Sequence, residues 1–270
     1  MILAVTYLLL SIGGFASLMY FTGMYTKWYF YFIPIVGIPL GYILLFLLTL
    51  AVLFPIAKAT NIDKEVKKPS KIARFLVWQV DYVLMQLLGV RTKYLNFDKI
   101  NKKGDYMIIY NHISNFDPMV LMAKIRRLTC ITKYGNKKAP IAGGMIHRAG
   151  YITIDRENDA EGIKAINKAI EIIENHKGSI AVSPEGTRSK TLELLPFHPG
   201  TFNIAKRSGA PIVVVGLKNT NLIHKNVLKR PTKVECNILY VMTSDEYSDL
   251  STSEIAHKLH TIYEEYLGGF

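Results

Sequence analysis

Lys27 is the only charged side chain among the first 57 residues. On either side of it run two uncharged, apolar stretches, 1–26 and 28–57. A helix needs about 20 mostly apolar residues to cross a hydrocarbon core roughly 30 Å thick. Residues 2–22 and 36–56 each meet that length. No Lys or Arg precedes Lys27, so the first stretch lacks the positive end of a secretory leader. The second is too long and apolar for the core helix of a small domain. Pro34, Gly37, Pro39 and Gly41 predict a kinked or partly inserted start to it. A re-entrant hairpin is therefore the alternative to two full spans.

The flanking charge orients these segments. Lys58, Lys64, Lys67, Lys68, Lys71 and Arg74 crowd the far side of the second stretch, against Lys27 alone between the two. By the positive-inside rule, the remainder of the chain faces the cytoplasm at the cell membrane. The chain's formal +12 less Lys27 leaves +11 on residues 58–270. Such an excess suits nucleic acid or an anionic membrane. The apolar segments favour the membrane, and aromatic RNA-binding signatures are absent, so no nucleic-acid partner is expected. Cys130 and Cys236 lack a CxxC spacing and read as buried thiols. No metal-ligand set is visible, and none is expected.

Beyond the apolar segments (1–57) are expected a basic linker and an interfacial helix (58–92), then an α/β domain (93–270). Residues 75–90 predict a helix. Trp78 and Tyr82 suit a bilayer interface or packing beside the spans, and a core helix of the α/β domain fits about as well. Short apolar runs at 105–110, 128–132, 151–154, 179–183, 211–217 and 233–241 predict strands. Between them Ile163, Ile166, Ile170 and Ile173 mark one face of a helix over 159–176, with Asn158 as its N-cap and Gly178 as its terminator. A further helix is predicted over 252–266. Strands alternating with helices argue an α/β fold, a mixed sheet covered on both faces, preceded by a helical membrane hairpin.

Four elements fall at strand ends, where α/β sheets collect ligands. NHISNFD (111–117) places His112 and Asp117 five apart, and a histidine held by a carboxylate can take a proton at its other nitrogen. GYITIDR (150–156) ends in Asp155 and Arg156. SPEGTRS (183–189) combines a flexible glycine, a hydroxyl and a guanidinium, suited to binding phosphate. APIVVVGL (210–217) is an apolar strand opened by Pro211. Taken singly, each has a plainer reading: a surface ion pair at 155–156, a turn at 183–189, a core strand at 211–217.

Taken together and in this order, the four resemble the glycerolipid acyltransferases, the group containing the 1-acyl-glycerol-3-phosphate acyltransferases, over about residues 72–245. The family pattern N-H-x-S-x-x-D is met by Asn111, His112, Ser114 and Asp117, and the P-E-G-T-R-S pattern from Pro184 onward. The resemblance implies that His112 is the general base and Asp117 holds its ring. It implies that Arg156, Glu185, Gly186, Thr187 and Arg188 bind a glycerol phosphate, with Asn111, Ser114 and Pro211 in support. The implied acceptor is lysophosphatidic acid, with another lysophospholipid as the alternative, and the implied donor is acyl-CoA or acyl carrier protein, with no other cofactor. Thr153, Ser183 and Val214 depart from the pattern, and none of them removes a chemical group.

There is no G-x-S-x-G elbow, so transfer needs no covalent enzyme intermediate. Ser114 reads as a local backbone hydrogen-bonder rather than a nucleophile. Two other classes stand beside acyl transfer: a lipid hydrolase using the same His/Asp pair, and a non-catalytic lipid-binding scaffold.

Overall fold

The computed structural model describes residues 2–26, 32–66, 69–101, 104–154 and 159–268. The chain divides into two compact units, one formed by residues 1–84 with 138–149 and the other by 85–137 with 150–270.

The first unit is helical. Two long apolar helices, α1 (Ile2–Phe21) and α2 (Ile33–Lys58), are each long and apolar enough to cross a membrane. They pack antiparallel: Tyr7 meets Tyr42 edge-on, its hydroxyl bonds Thr49, and further along Ser11 lies against Gly41 and Phe15 against Gly37. A Cβ on Gly37 would come 2.6 Å from the Phe15 ring, and one on Gly41 would come 3.2 Å from Ser11. Small residues let apolar helices approach closely, so these glycines are interface positions. α2 is continuous from Ile33 to Lys58, with Pro39 and Pro55 inside it.

The amphipathic stretch forms α3 (Lys71–Leu87), and residues 71–84 belong to the helical unit rather than to the α/β core. Buried Gln79 accepts a hydrogen bond from the Leu3 N–H at 2.7 Å, satisfying one of the orphan donors of the first turn of α1.

The second unit holds seven strands: β1 (Val90–Leu95), β2 (Met107–Tyr110), β3 (Leu128–Lys133), β4 (Ile152–Ile154), β5 (Ser179–Val182), β6 (Ile212–Lys218) and β7 (Thr232–Met242). Their order is β1-β7-β6-β2-β5-β3-β4, parallel throughout except for antiparallel β6–β7. The sheet is mixed, as expected. Every residue of β2 and β5 is buried, as a strand covered on both faces requires. The helices of this unit are α4 (Asp117–Lys124), α6 (Asp159–Glu174), α7 (Asn203–Ser208), α8 (Ile223–Asn226), α9 (Ser244–Tyr247) and α10 (Thr252–Gly268). Ala169, Ile172 and Ile173 of α6 and Ile255 and Leu259 of α10 pack in one core with Ile109, Ile180 and Val214. Asn158, the expected N-cap of α6, lies outside the described residues.

Between β3 and β4 the chain passes back through the helical unit as α5 (Ala142–Arg148). There Ser70 N–H bonds Arg148 C=O at 2.8 Å, and a Cβ on Gly144 would collide with the Ala57 carbonyl of α2.

Candidate active site

β2 runs parallel to both β5 and β6, so residues leaving their carboxyl ends meet at one edge of the sheet. Asn111 turns the chain there. Its amide donates to Leu217 C=O at 3.0 Å, and its oxygen accepts from Leu217 N–H at 2.7 Å, locking the exit of β2 to β6. Tyr263 of α10 adds a second tie. Its buried hydroxyl lies 2.9 Å from both the Ile109 and Val215 carbonyls, beside a register slip between Val214 and Val215 that disturbs the β6–β7 ladder.

His112 follows, with Nδ1 2.8 Å from Asp117 Oδ2. An ionised carboxylate can only accept, so Nδ1 carries the hydrogen and Nε2 keeps a free lone pair. Asp117 is fully buried, and the charge it carries is fully satisfied. The Ile113 and Ser114 N–H groups donate to Oδ2 at 2.9 and 2.7 Å, and the Thr220 hydroxyl donates to Oδ1. The His112 side chain retains 13% exposure, so the ring can meet a substrate while its anchor stays dry. Ser114 Oγ accepts from Phe116 N–H at 3.2 Å, the local turn bond expected of it.

The second loop is stitched to the first along its backbone. His112 N–H donates to Glu185 Oε1 at 2.6 Å, and Ser189 N–H donates to His112 C=O at 2.9 Å. Glu185 Oε2 accepts from Leu195 N–H at 3.1 Å. Burial raises the Glu185 pKa above the usual carboxylate range, and the two N–H bonds pull against that rise. The resemblance assigned Glu185 to substrate. In the structure its side chain is buried and each oxygen accepts a backbone N–H, so it ties the two loops together. Gly186 sits at φ +67, a left-handed conformation that favours glycine, with the His198 ring 2.8 Å from where a Cβ would stand. Thr187 and Arg188 emerge exposed beyond it.

Not every expected residue joins this cluster. Pro211 opens β6 at its amino end, its carbonyl accepting from Met107 N–H at 3.1 Å. His112 lies five residues further along the parallel neighbour, roughly 16 Å away at about 3.3 Å per residue. Pro211 therefore stands at the opposite end of β6 from His112. Arg156 lies outside the described residues. Thr220, not singled out in the sequence, belongs to the site; its one signal was a hydroxyl just past the carboxyl end of β6.

Residues 91–218 match the Acyltransferase family, a span that holds both loops. The chain is 30% identical over 186 residues to the 1-acyl-sn-glycerol-3-phosphate acyltransferase of Salmonella typhimurium, covering 67% of this chain and 75% of that one. The chain belongs to the 1-acyl-sn-glycerol-3-phosphate acyltransferase family. The yeast (Saccharomyces cerevisiae) member is 33% identical over 157 residues, 56% of this chain, and the match spans about half of that protein, 51% of its length. The crystal structure of the 1-acyl-sn-glycerophosphate (LPA) acyltransferase from Thermotoga maritima has the same fold. It superposes with a TM-score of 0.61 over 89% of this chain and 92% of that one, at 20% identity.

Proposed function

We propose that this protein transfers a fatty acyl group from a thioester donor to the free sn-2 hydroxyl of 1-acyl-glycerol 3-phosphate, giving phosphatidic acid. The observation that carries the reading is the His112 ring, slightly exposed and held through Nδ1 by a buried, fully hydrogen-bonded Asp117. It stands beside the Gly186–Thr187–Arg188 loop.

In this reading Arg188, joined by Arg156, holds the acceptor's phosphate through paired hydrogen bonds. Holding the head group brings the hydroxyl to His112 and the acyl carbon together. Nε2 takes the hydroxyl proton as that oxygen bonds to the thioester carbonyl carbon. The tetrahedral adduct collapses, the C–S bond breaks, and the thiolate receives the proton from the imidazolium. Atoms and charge balance with no metal or cofactor. The donor is acyl-CoA or acyl carrier protein, both acidic partners for a strongly basic chain. Helices α1 and α2 anchor the enzyme in the cell membrane with the α/β unit on the cytoplasmic side, as the clustered lysines after α2 favour.

The test is acceptor-dependent thiol release by the detergent-purified full chain, given each donor in turn. Lysophosphatidic acid, lysophosphatidylcholine and glycerol 3-phosphate serve as acceptors. Release with lysophosphatidic acid, reduced about 10²–10⁴-fold by His112→Ala, is the expected result. Release without any acceptor would overturn it in favour of a hydrolase.

A further inference from the structure

Three loops leave the catalytic end of the sheet with exposed apolar tips. After β6, the segment 218–234 carries Lys218, Lys225, Lys229, Arg230 and Lys233 and no acidic residue. At its apex Leu228 is fully exposed, with its backbone at φ +61. After β5, Leu192 is 50% exposed at φ +70, next to Lys190. After β3, Tyr134 is exposed with Lys137 Nζ 5.3 Å over its ring. In sheet order β6 and β5 flank β2, with β3 beyond β5, so these tips bracket the His112 loop.

The Leu228 loop is built, not frayed. Asn226 C=O accepts from Lys229 N–H at 2.9 Å and Arg230 N–H at 3.1 Å, and its side chain bonds Thr232 at 3.1 Å. Left-handed backbone is unfavourable for leucine, and such strain persists where surroundings impose it, often at functional positions. A fully exposed leucine in that conformation gains nothing in water. Nearby, Arg91 of β1 lies alongside Lys233 of β7 in register, both exposed, a like-charge pair that an anionic partner would relieve.

We propose that this rim is a docking face for an anionic lipid bilayer, with Leu228 inserted among the acyl chains and Lys225, Lys229 and Arg230 on the headgroups. The basic side chains match a negatively charged surface, and one apolar apex within a basic ring suits an interface rather than a protein groove. The face lies at the same end of the sheet as the His112 loop, so docking brings the site close to lipid. This surface does not depend on which acyl donor or acceptor the enzyme uses.

The full chain in nanodiscs tests it, with Leu228→Cys carrying a polarity-sensitive fluorophore. Cys130 and Cys236 are buried, so the label goes to the new thiol. Glu174→Cys, at the end of α6 that leads into the amino end of β5, is the control. In phosphatidylcholine mixed with phosphatidylglycerol, the 228 probe should shift to the blue and be quenched by brominated lipid, while the 174 probe stays in water. Each basic residue near such a surface contributes roughly a fivefold preference, so Lys225→Gln with Lys229→Gln should cut the response to anionic lipid by about 25-fold. Leu228→Gly relieves the backbone and should melt no earlier than wild type. It should nonetheless raise KM several-fold for acceptor presented in vesicles, with kcat unchanged. A 228 probe as water-exposed as the 174 probe would overturn the proposal, and so would insertion indifferent to anionic lipid. Insertion without acyl transfer would instead sink only the function proposed above.

Discussion

Each unit of the molecule buries an aspartate, and the two carboxylates meet opposite fates. In the α/β unit, Asp117 is inaccessible to solvent, yet four donors converge on it: the His112 ring, two backbone N–H groups and the Thr220 hydroxyl. In the helical unit, Asp81 of α3 is also buried, and neither of its oxygens finds a hydrogen-bond partner among the described residues. Burial alone raises its pKa well above the usual carboxylate range. The contrast follows from backbone geometry. A loop leaving a strand has free N–H groups to aim at a charge, whereas mid-helix N–H groups are committed to the helix. A charge can be kept dry at the sheet edge, whereas burial in α3 favours the neutral acid.

Substitutions at these positions sharpen the comparison. The largest effect is expected for Asp117→Asn. The amide keeps the volume but cannot accept all the donors now on Oδ2, and it frees the ring to take the wrong tautomer. kcat should fall about 10²–10⁴-fold, read by thiol release at saturating substrates. An unchanged kcat would mean that the pair is structural.

Asp81→Asn should act in the opposite sense and stabilise. The folded state holds the Asp81 proton above the pH, about 4, at which an unfolded aspartate loses it. Wild-type stability therefore declines as pH rises from there towards the raised folded pKa. The asparagine variant escapes that decline, so its thermal midpoint should match wild type near pH 4 and exceed it at neutral pH. The gain should be about 1–3 kcal/mol, measured by melting in detergent. Equal midpoints at every pH would imply that Asp81 has a partner after all.

The smallest effect is expected at Thr220. Thr220→Val removes one of the four donors to Asp117 and leaves the shape intact. A loss of about 1.5 kcal/mol of support for the carboxylate corresponds to roughly tenfold in kcat, with KM unchanged and rescue by Thr220→Ser. Failure of serine to rescue would point to packing rather than the hydroxyl.

Legibility in the sequence followed the range of the interactions involved. The two apolar helices, six of the seven strands and helices α6 and α10 were read from local hydrophobic pattern, which burial writes directly into composition. β1 was missed because VRTKYL on an edge strand alternates with charge and falls close behind α3. The short helices α4 and α5, of 8 and 7 residues, are too brief to display a period. His112 and Asp117 were legible because their contact spans five residues in a single loop. Thr220 lies 103 residues from its partner, and the backbone bonds of Glu185 to His112 and Leu195 leave no trace in local pattern.

The sequence by itself determined the two apolar helices, the α/β alternation and the closeness of His112 to Asp117, since each depends on residue types at short, regular spacing. Only the tertiary structure decided that Glu185 bonds the backbone of both loops, that Pro211 stands at the amino end of β6 and that Thr220 donates to Asp117. It also decided that exposed Leu192 and Leu228 rim one edge of the sheet. Those facts depend on which strands lie side by side and in what direction, and parallel pairing joins residues a hundred positions apart through contacts that no local period encodes.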